Sequence, residues 1–437
     1  MREDVRNRRW IISLLAAVVA VLIGLSISLA AVYADEDGSY DYHDHIIVAD
    51  DGSVTIPALG DGTFDADTFD AVVFDGEYKN IKVEGTGTYD RSLDPGEGYT
   101  LVMNGINITG RMYVGDNSHW TLTNCTVNKE NKSGTGTIGS NVTLDLDNTE
   151  IYGAYKQEQK GHKNYGNNHD ISINGGTWWG PYTNGKLGNS KGAGTLLGLS
   201  HCRNVKLSNM TAYCGTNGHA IELIACTDVT VDNCTLENYN AKVGKSSVEE
   251  PLQIDLATPK NAPNINHAEW DGLPCRNVTV QNCNLTGNRG LCVNQDNKHA
   301  KYRKAKNFHS NIVIQNNTVT GLQAEAIVVF NAKNVSIKGN KCYNKSKRSK
   351  KDSYSVGINV QITGSGVSSS KMGGLNISGN TAKGGRQAIC AFTHTKTKYS
   401  KTTVTKNKAY CKAGKSKAIN CKAGKSNRIK SNKTYKW

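Results

Sequence analysis

The sequence predicts an all-β solenoid, in which short strands wind into stacked coils. Two observations lead to this prediction: a short motif recurs along most of the chain, and apolar residues within each copy alternate with a period of two. Copies occur, for example, at residues 228–238 (DVTVDNCTLEN), 277–287 (NVTVQNCNLTG) and 311–321 (NIVIQNNTVTG). The intervals between copies cluster at 22 to 29 residues and are longer where loops are inserted. A fixed period in this range is typical of solenoids, and period-two alternation is typical of strands.

The composition agrees with many short strands joined by turns. The chain of 437 residues contains 45 Gly but only 7 Pro and 6 Phe, which disfavours a helical globule. Each strong copy of the motif places an asparagine at a turn, as at Asn233. Asparagine tolerates the left-handed backbone conformation, and stacked copies can hydrogen-bond to one another. We therefore expect asparagine ladders that run along the axis of the solenoid.

The repeats resemble those of right-handed parallel β-helix proteins of the pectate-lyase-like superfamily. The resemblance rests on the pattern N-V-T-V-x-N-C-x-L and covers roughly residues 75–437. It implies a right-handed parallel β-helix of about a dozen coils with an N-terminal cap. It does not imply one activity, because this fold carries enzymes as well as non-catalytic surface proteins. The catalytic motifs of the pectate lyases, polygalacturonases and alginate epimerases are absent from the sequence.

The N-terminus has the pattern of an export signal. Residues 1–9 contain four arginines, and residues 10–33 contain no charged residue. We interpret residues 1–34 as a cleaved signal peptide or an uncleaved membrane anchor, residues 35–75 as an N-terminal cap and residues 76–437 as the β-helix. The expected location is therefore secreted or at the cell surface, and membrane contact would involve only the N-terminal segment.

The twelve cysteines recur at fixed stations of the repeat. Cys125, Cys234 and Cys283 each follow an asparagine in the motif, and Cys202 and Cys226 each lie two residues before a strand start. Side chains at one station point the same way, which suits disulfide geometry poorly. Mostly free, buried thiols are the favoured interpretation, with one or two disulfides left open. The spacing does not predict a structural zinc site.

The formal net charge of +14 is concentrated in the second half of the chain. Basic loops occupy residues 299–309 and 344–354. They either keep the protein soluble and protect strand edges or attract a polyanion such as an acidic polysaccharide. Nucleic acid is disfavoured because the chain has an export signal and no nucleic-acid-binding motif. We expect a monomer.

A further strand follows each turn, and polar residues on its copies form a candidate catalytic site. In the strands at 220–224 and 251–256, alternation directs Glu222 and Asp255 to the outer face of neighbouring coils, with His219 at a strand start. The two carboxylates are offset by two residues in register, which predicts a separation of about 5–9 Å. That range overlaps the separations used by glycosidases. Glu222, Asp255 and His219 are therefore the candidate catalytic residues.

Two long insertions flank this face and are predicted to form the walls of a groove. They comprise residues 239–275 and 295–310. The candidate substrate-binding residues lie on the face and in these insertions: Gln253, Asn294, Asp296, Trp270, Tyr302, Arg303 and His299. Trp270 and Tyr302, together with Trp178 and Trp179, are candidates for stacking on sugar rings.

The leading functional hypothesis is an exported enzyme that acts on an extended and acidic polysaccharide. A hydrolase would use Glu222 and Asp255 as its acid and its base or nucleophile. A lyase would use a base such as His219, with Ca²⁺ or a basic side chain neutralising the uronate. No metal site is predicted, but Ca²⁺ is a candidate cofactor for the lyase. The alternative is a non-catalytic, adhesin-like surface protein that binds glycans.

Overall fold

The structure, a computed structural model, confirms the right-handed parallel β-helix. It describes residues 42–131, 134–157, 165–166, 168–180, 194–214, 218–238, 249–262, 270–295 and 299–437. The predicted signal segment, residues 1–34, lies outside the described residues. Two sheets build the coils, and we call them sheet 1 and sheet 2.

Sheet 1 contains twelve parallel strands, which come from successive coils. Its strands are Leu93–Gly96, Met112–Val114, Thr135–Ile138, Ala154–Gln157, Leu197–Ser200, Ile221–Ile224, Leu252–Asp255, Leu291–Val293, Ile327–Phe330, Val356–Ile362, Gln387–Thr393 and Ile419–Cys421. All the strands that carry the candidate catalytic residues belong to this sheet.

Sheet 2 contains 26 strands and bends at the asparagine turn of each repeat, so that it forms the other two walls of the coils. The strands before the turn, with two that continue through it, are Val54–Ile56, Asn80–Val83, Thr100–Asn104, His119–Thr123, Val142–Tyr152, His169–Trp179, Arg203–Ser208, Thr227–Asp232, Arg276–Gln281, His309–Gln315, Ala332–Lys338, Gly374–Ser378, Tyr399–Thr405 and Gly424–Lys430. The strands after it are Gly87–Tyr89, Ile106–Ile108, Thr126–Val127, Thr211–Tyr213, Thr235–Asn238, Asn284–Gly287, Thr318–Gly321, Lys341–Asn344, Thr381–Gly384, Lys408–Cys411 and Lys433–Lys436. The remaining strand is Ile47–Val48, which pairs antiparallel with Val54–Ile56.

Helical segments are short. The α-helices are Ala66–Asp75 and Ser369–Met372, and the 3₁₀ helices are Tyr42–His45, Ala300–Arg303, Ala305–Asn307 and Lys415–Lys417. Asp65 caps the first α-helix by accepting a hydrogen bond from the Thr68 N–H, which satisfies a free helix N–H group. Phe69 and Val72 of this helix belong to the core of the solenoid. Within the described residues, no helix combines the length and the hydrophobicity needed to span a membrane.

Apolar residues from the strands fill one continuous core along the inside of the coils. Within Thr227–Asp232, for example, Val229 and Val231 are buried and their neighbours are more exposed. Period-two alternation produces this arrangement because successive side chains of a strand point to opposite faces. The repeat pattern read from the sequence therefore identifies the core of the coils.

Asparagine ladders run along the coils as predicted. Asn233, with a positive φ of 52°, donates a side-chain hydrogen bond of 2.8 Å to Asn209 on the preceding coil. A second ladder is buried and joins Asn317 to Asn340 and Asn340 to Asn380, each through an amide hydrogen bond of 3.0 Å. Its members also bond to backbone groups, so buried amides and backbone are satisfied together.

All twelve cysteines are buried, and none of them forms a disulfide in the part of the chain that the structure describes. Cys283 occupies the same station as Asn317 on the next coil, because its backbone N–H donates to the Asn317 Oδ1 at 2.8 Å. The Cys234 backbone N–H in turn lies 3.4 Å from the Cys283 sulfur. Burial raises the pKa of the Cys342 and Cys275 thiols, which keeps them protonated and unreactive.

Candidate functional site

The register of sheet 1 places Glu222 and Asp255 as the alignment predicted. Glu222 pairs with Gln253 and Ile224 pairs with Asp255, so the two carboxylates lie on adjacent coils and are offset by two residues. Ile221 and Leu223 point into the core. Glu222 and Asp255 therefore project from the opposite face of the sheet.

The structure corrects two expectations about this pair. Its side chains do not lie in an open polar patch, because Glu222 is 7% exposed and Asp255 is 0% exposed. The carboxyl groups are also closer than predicted: their oxygens approach within 4.8 Å of each other and of a His219 ring nitrogen. Side chains two residues apart in register lean toward each other once both are covered.

Residues 256–262 and 270–273 cover the outer face at these coils. Ala257, Ala262, Trp270 and Leu273 form a small apolar cluster over Ile224. The Trp270 indole N–H donates to the Ala262 carbonyl at 2.9 Å. The described part of the insertion that was predicted to wall a groove thus packs directly on the sheet, and its Asn261 contacts Asp255.

The two carboxyl groups differ in protonation. Burial and the charge of Asp255 raise the pKa of Glu222 well above its ordinary value. Burial also raises the pKa of Asp255, but only to about 6, because amide donors stabilise its ionised form. The directions of these shifts place the proton of the pair on Glu222 and the negative charge on Asp255. The Thr195 hydroxyl donates to the Glu222 Oε2 at 2.9 Å.

Three side-chain amides hold Asp255 in place. Gln253 donates to its Oδ2 at 2.5 Å, whereas Asn294 and Asn261 donate to its Oδ1 at 2.9 and 3.0 Å. Gln253 and Asn294 were predicted to bind substrate, and their described contacts instead position the candidate base. Bonds to both oxygens fix the orientation of the carboxylate.

His219 lies beside the pair as a neutral imidazole. Burial lowers its pKa to about 4, so the ring carries no charge near neutral pH. Its Nδ1 is 3.4 Å from a carboxyl oxygen of Glu250 but makes no hydrogen bond there. The ring is therefore a polar group with unused hydrogen-bonding capacity next to Glu222.

A row of charged residues continues from His219 along the axis. Arg289 lies 3.0 Å from Glu250 and 3.1 Å from Glu325, and Asn359 donates to the other oxygen of Glu325 at 3.0 Å. One guanidinium thus pairs with two buried carboxyl groups. Burial raises the pKa of Glu250 to about 8. These charged residues support the Glu222–Asp255 pair from the neighbouring coils.

The residues of the second insertion are packed into loops. Tyr302 is 7% exposed, so its ring does not offer an open face for a sugar, contrary to the prediction. The His299 ring contacts it edge-on at 6.0 Å between centroids, and the Arg303 carbonyl accepts a 3.0 Å bond from the Ser365 N–H. Asp296 lies outside the described residues.

The predicted sugar-stacking tryptophans of sheet 2 lie away from the site. Trp178 is fully buried in the core. Trp179 stacks between Tyr152 and Tyr213, at centroid distances of 6.1 and 4.6 Å. These rings stack on one another along the axis, so their faces are occupied.

His219, Glu222 and Asp255 could also hold a metal ion, since one donor atom from each lies within 4.8 Å of the others. Calcium requires six to eight oxygen ligands, and this set offers one nitrogen and two carboxyl groups that already share a proton. An imidazole with two carboxylates suits a transition metal better than Ca²⁺. Ca²⁺, the candidate cofactor of a lyase, therefore does not suit these three residues.

Sequence reasoning missed four contributors: Arg289, Glu325, Asn261 and Thr195. His219, Glu250, Arg289 and Glu325 all lie two residues before paired positions of sheet 1, namely Ile221, Leu252, Leu291 and Ile327. When the residues at this position are compared on successive coils, they alternate in charge, and this alternation would have indicated the row of charged residues. Thr195 lies two residues before Leu197, which pairs with Ile221, so it occupies the same position on the preceding coil. Asn261 lies outside the repeat, where no periodic signal exists.

Comparison with known proteins gives structural likenesses only. No protein-family profile matches the chain, and no curated protein matches it either. The surface adhesin PfbA of Streptococcus pneumoniae is 17% identical over 87% of this chain and 90% of that chain, with a TM-score of 0.48. The A-module of the mannuronan C-5 epimerase AlgE6 of Azotobacter vinelandii is 14% identical over 86% and 97%, with a TM-score of 0.37. The periplasmic alginate epimerase AlgG is 9% identical over 81% and 76%, with a TM-score of 0.38.

These values are too low to transfer an activity, a substrate or a site residue to this chain. The fold itself rests on the parallel register of the strands in both sheets. Function has to be argued from the chemistry of the side chains.

Proposed function

We propose that the protein cleaves a polysaccharide by acid–base catalysis at the Glu222–Asp255 pair. The observation that supports this proposal is the division of roles within the pair: burial keeps Glu222 protonated, while amide donors let Asp255 ionise at about pH 6. Two neighbouring carboxyl groups whose pKa values are pushed apart form an acid and a base at the same pH. Each group is then poised for proton transfer near neutral pH.

The short separation favours β-elimination over hydrolysis. Retaining glycosidases place their carboxyl groups about 5–5.5 Å apart and inverting enzymes about 6.5–9.5 Å apart, whereas oxygens of this pair approach within 4.8 Å of each other. Elimination from one face of a sugar brings the departing proton and the leaving oxygen close together. An acid and a base this close to each other suit that geometry.

The proposed reaction is the cleavage of a uronic-acid chain. Asp255 takes the proton from the carbon next to the uronate carboxylate, and the electron pair forms a carbon–carbon double bond. The bond from the ring to the leaving oxygen breaks, and Glu222 gives its proton to that oxygen. No water is consumed. His219, whose pKa is lowered to about 4 by burial, is a weaker base than Asp255, and as a neutral ring it can donate a hydrogen bond to the substrate carboxylate.

The charge of the chain supports an acidic substrate. The net charge is +14, and a positive surface raises the local concentration of an anionic chain. The N-terminal pattern of a basic start and a long uncharged stretch supports export, so we place this activity in a secreted or cell-surface protein.

A glycan-binding surface protein without catalysis is the second candidate. The observation that favours it is the coverage of the pair, since Asp255 is 0% exposed and a substrate must displace covering groups to reach it. Such a protein would retain a polysaccharide without shortening it.

A polysaccharide panel separates these candidates. The purified protein is incubated with polygalacturonate, polymannuronate and a neutral glucan, and new reducing ends and unsaturated products are measured. We expect reducing ends with equimolar unsaturated ends from a polyuronate only. Reducing ends without unsaturation would contradict elimination and indicate a hydrolase, and retention of the polymer without either product would indicate the binder.

A further inference from the structure

An open groove lies on sheet 1 in the last three coils, away from the carboxyl pair. The register runs through consecutive coils from Glu222 to Gln253, Cys292, Val328, Asn359, Cys390 and Asn420. Asn359, Cys390 and Asn420 therefore lie on the same outer face as Glu222. At about 4.8 Å per coil, they are roughly 19–29 Å along the axis from it.

Two adjoining cavities form this groove, with volumes of about 330 and 570 Å³. Both are lined by Arg386, Gln387 and Asn420, so they form one continuous depression. We call it the C-terminal groove. Phe392, which is half-buried, gives it an apolar wall.

The charge of the C-terminal groove is entirely positive. None of the residues that line it is Asp or Glu, and the sequence contains no Asp or Glu after Asp352. Asp352 itself lies 3.3 Å from Arg348. The cations that line the groove are all exposed: Lys350, Lys351, Arg386, Lys417 and Lys422. Together these cations produce a potential that attracts an anion.

The groove also contains a buried acceptor with no donor. Asn359 is 2% exposed and lines the cavity. Its Nδ2 donates to Glu325 at 3.0 Å, but its Oδ1 has no hydrogen-bond partner. A buried polar atom without a partner is destabilising, and a ligand hydroxyl would satisfy this one.

We propose that the C-terminal groove binds an acidic oligosaccharide. The three observations specify its chemistry: cations for a carboxylate or sulfate, a free acceptor for a sugar hydroxyl, and an aromatic wall for the apolar face of a sugar ring. Arg386 is suited to the anionic group because a guanidinium binds a carboxylate through two parallel hydrogen bonds. This binding requires no cleavage and does not depend on the function proposed for Glu222 and Asp255.

Calorimetric titration with a galacturonate oligomer tests the proposal, in the wild-type protein and in Glu222→Gln, which would leave the ligand intact. The double variant Arg386→Glu/Lys422→Glu should bind at least tenfold more weakly. The double variant Lys425→Glu/Lys433→Glu makes the same change in net charge on exposed strands of sheet 2 and should stay within twofold of wild type. Thermal unfolding checks that all variants remain folded.

Other outcomes would overturn the proposal. An equal loss in both double variants would mean a diffuse electrostatic attraction without a groove. Equal binding of an uncharged galactose oligomer would show that the cations do not determine binding. Tighter binding of single-stranded DNA would show that the groove prefers a nucleic acid to a sugar. Absence of binding by the folded wild type would remove the site, whether or not the protein cleaves polysaccharides.

Discussion

Replacing Arg289 with methionine should strongly destabilise the protein. The guanidinium lies 3.0 Å from Glu250 and 3.1 Å from Glu325, and the three side chains are between 3% and 9% exposed. Methionine keeps much of the length of the side chain but removes the charge, which leaves the Glu325 carboxylate buried without a cation. Removing one partner of a buried ion pair costs about 3–5 kcal/mol. We expect a loss of that size in the free energy of unfolding at about pH 8.

The loss should shrink in acid, because protonation removes the uncompensated charge. Urea unfolding of wild type and Arg289→Met at about pH 8 and about pH 4.5 measures this difference. The double variant Arg289→Met/Glu325→Gln should recover most of the stability at pH 8, since it removes both charges together. The exposed Arg428 gives a matched control, and Arg428→Met should change stability by no more than about 0.5 kcal/mol. A loss that is the same at both pH values would refute the electrostatic reasoning and indicate poor packing instead.

The other buried polar groups lead to four further expectations. Burial raises the pKa of Glu250 to about 8 from an ordinary value of about 4.3. Its bound proton therefore contributes stability that is fully present below about pH 4 and is lost as the pH rises through 8. In Glu250→Gln this contribution is absent, so the free energy of unfolding should change less across that pH range. Asn340→Ala should lower the free energy of unfolding by about 2–4 kcal/mol, because buried groups such as the Ile314 carbonyl lose a partner; an unchanged urea midpoint would contradict this. Thiol titration of the denatured, unreduced protein should find twelve free thiols that react slowly in the native state, and a clearly lower count would reveal disulfides. Cleavage should increase as the pH rises through about 6, where Asp255 ionises, and a rate that is flat there would exclude it as the base.

The repeat made the fold and the register of the site predictable. Period-two alternation identifies which side chains enter the core, and superposed copies identify which residues meet on adjacent coils. That was sufficient to place Glu222 two positions from Asp255 in register. It was also sufficient to place polar side chains such as Asn359 on the outer face, where the structure has them lining the C-terminal groove.

Burial of the site could not be predicted, because the residues that cover it lie outside the repeat. Asn261 and Trp270 belong to an insertion whose path depends on tertiary packing. Coverage in turn changes the chemistry: it raises the pKa of Glu222 and encloses two carboxyl groups whose oxygens lie within 4.8 Å of each other. Substitutions there should consequently affect stability more than substitutions at a solvated surface.

The loss of proton donation in Glu222→Gln tests the central claim most directly. The amide keeps the shape of the carboxyl group and can accept the Thr195 hydrogen bond, so the fold should persist. It cannot give a proton to a leaving oxygen. With the best polyuronate of the panel, turnover should fall at least about a hundredfold, while Glu237→Gln, on a half-buried strand position of sheet 2, should retain full turnover. A folded Glu222→Gln protein that cleaves at the wild-type rate would contradict the account.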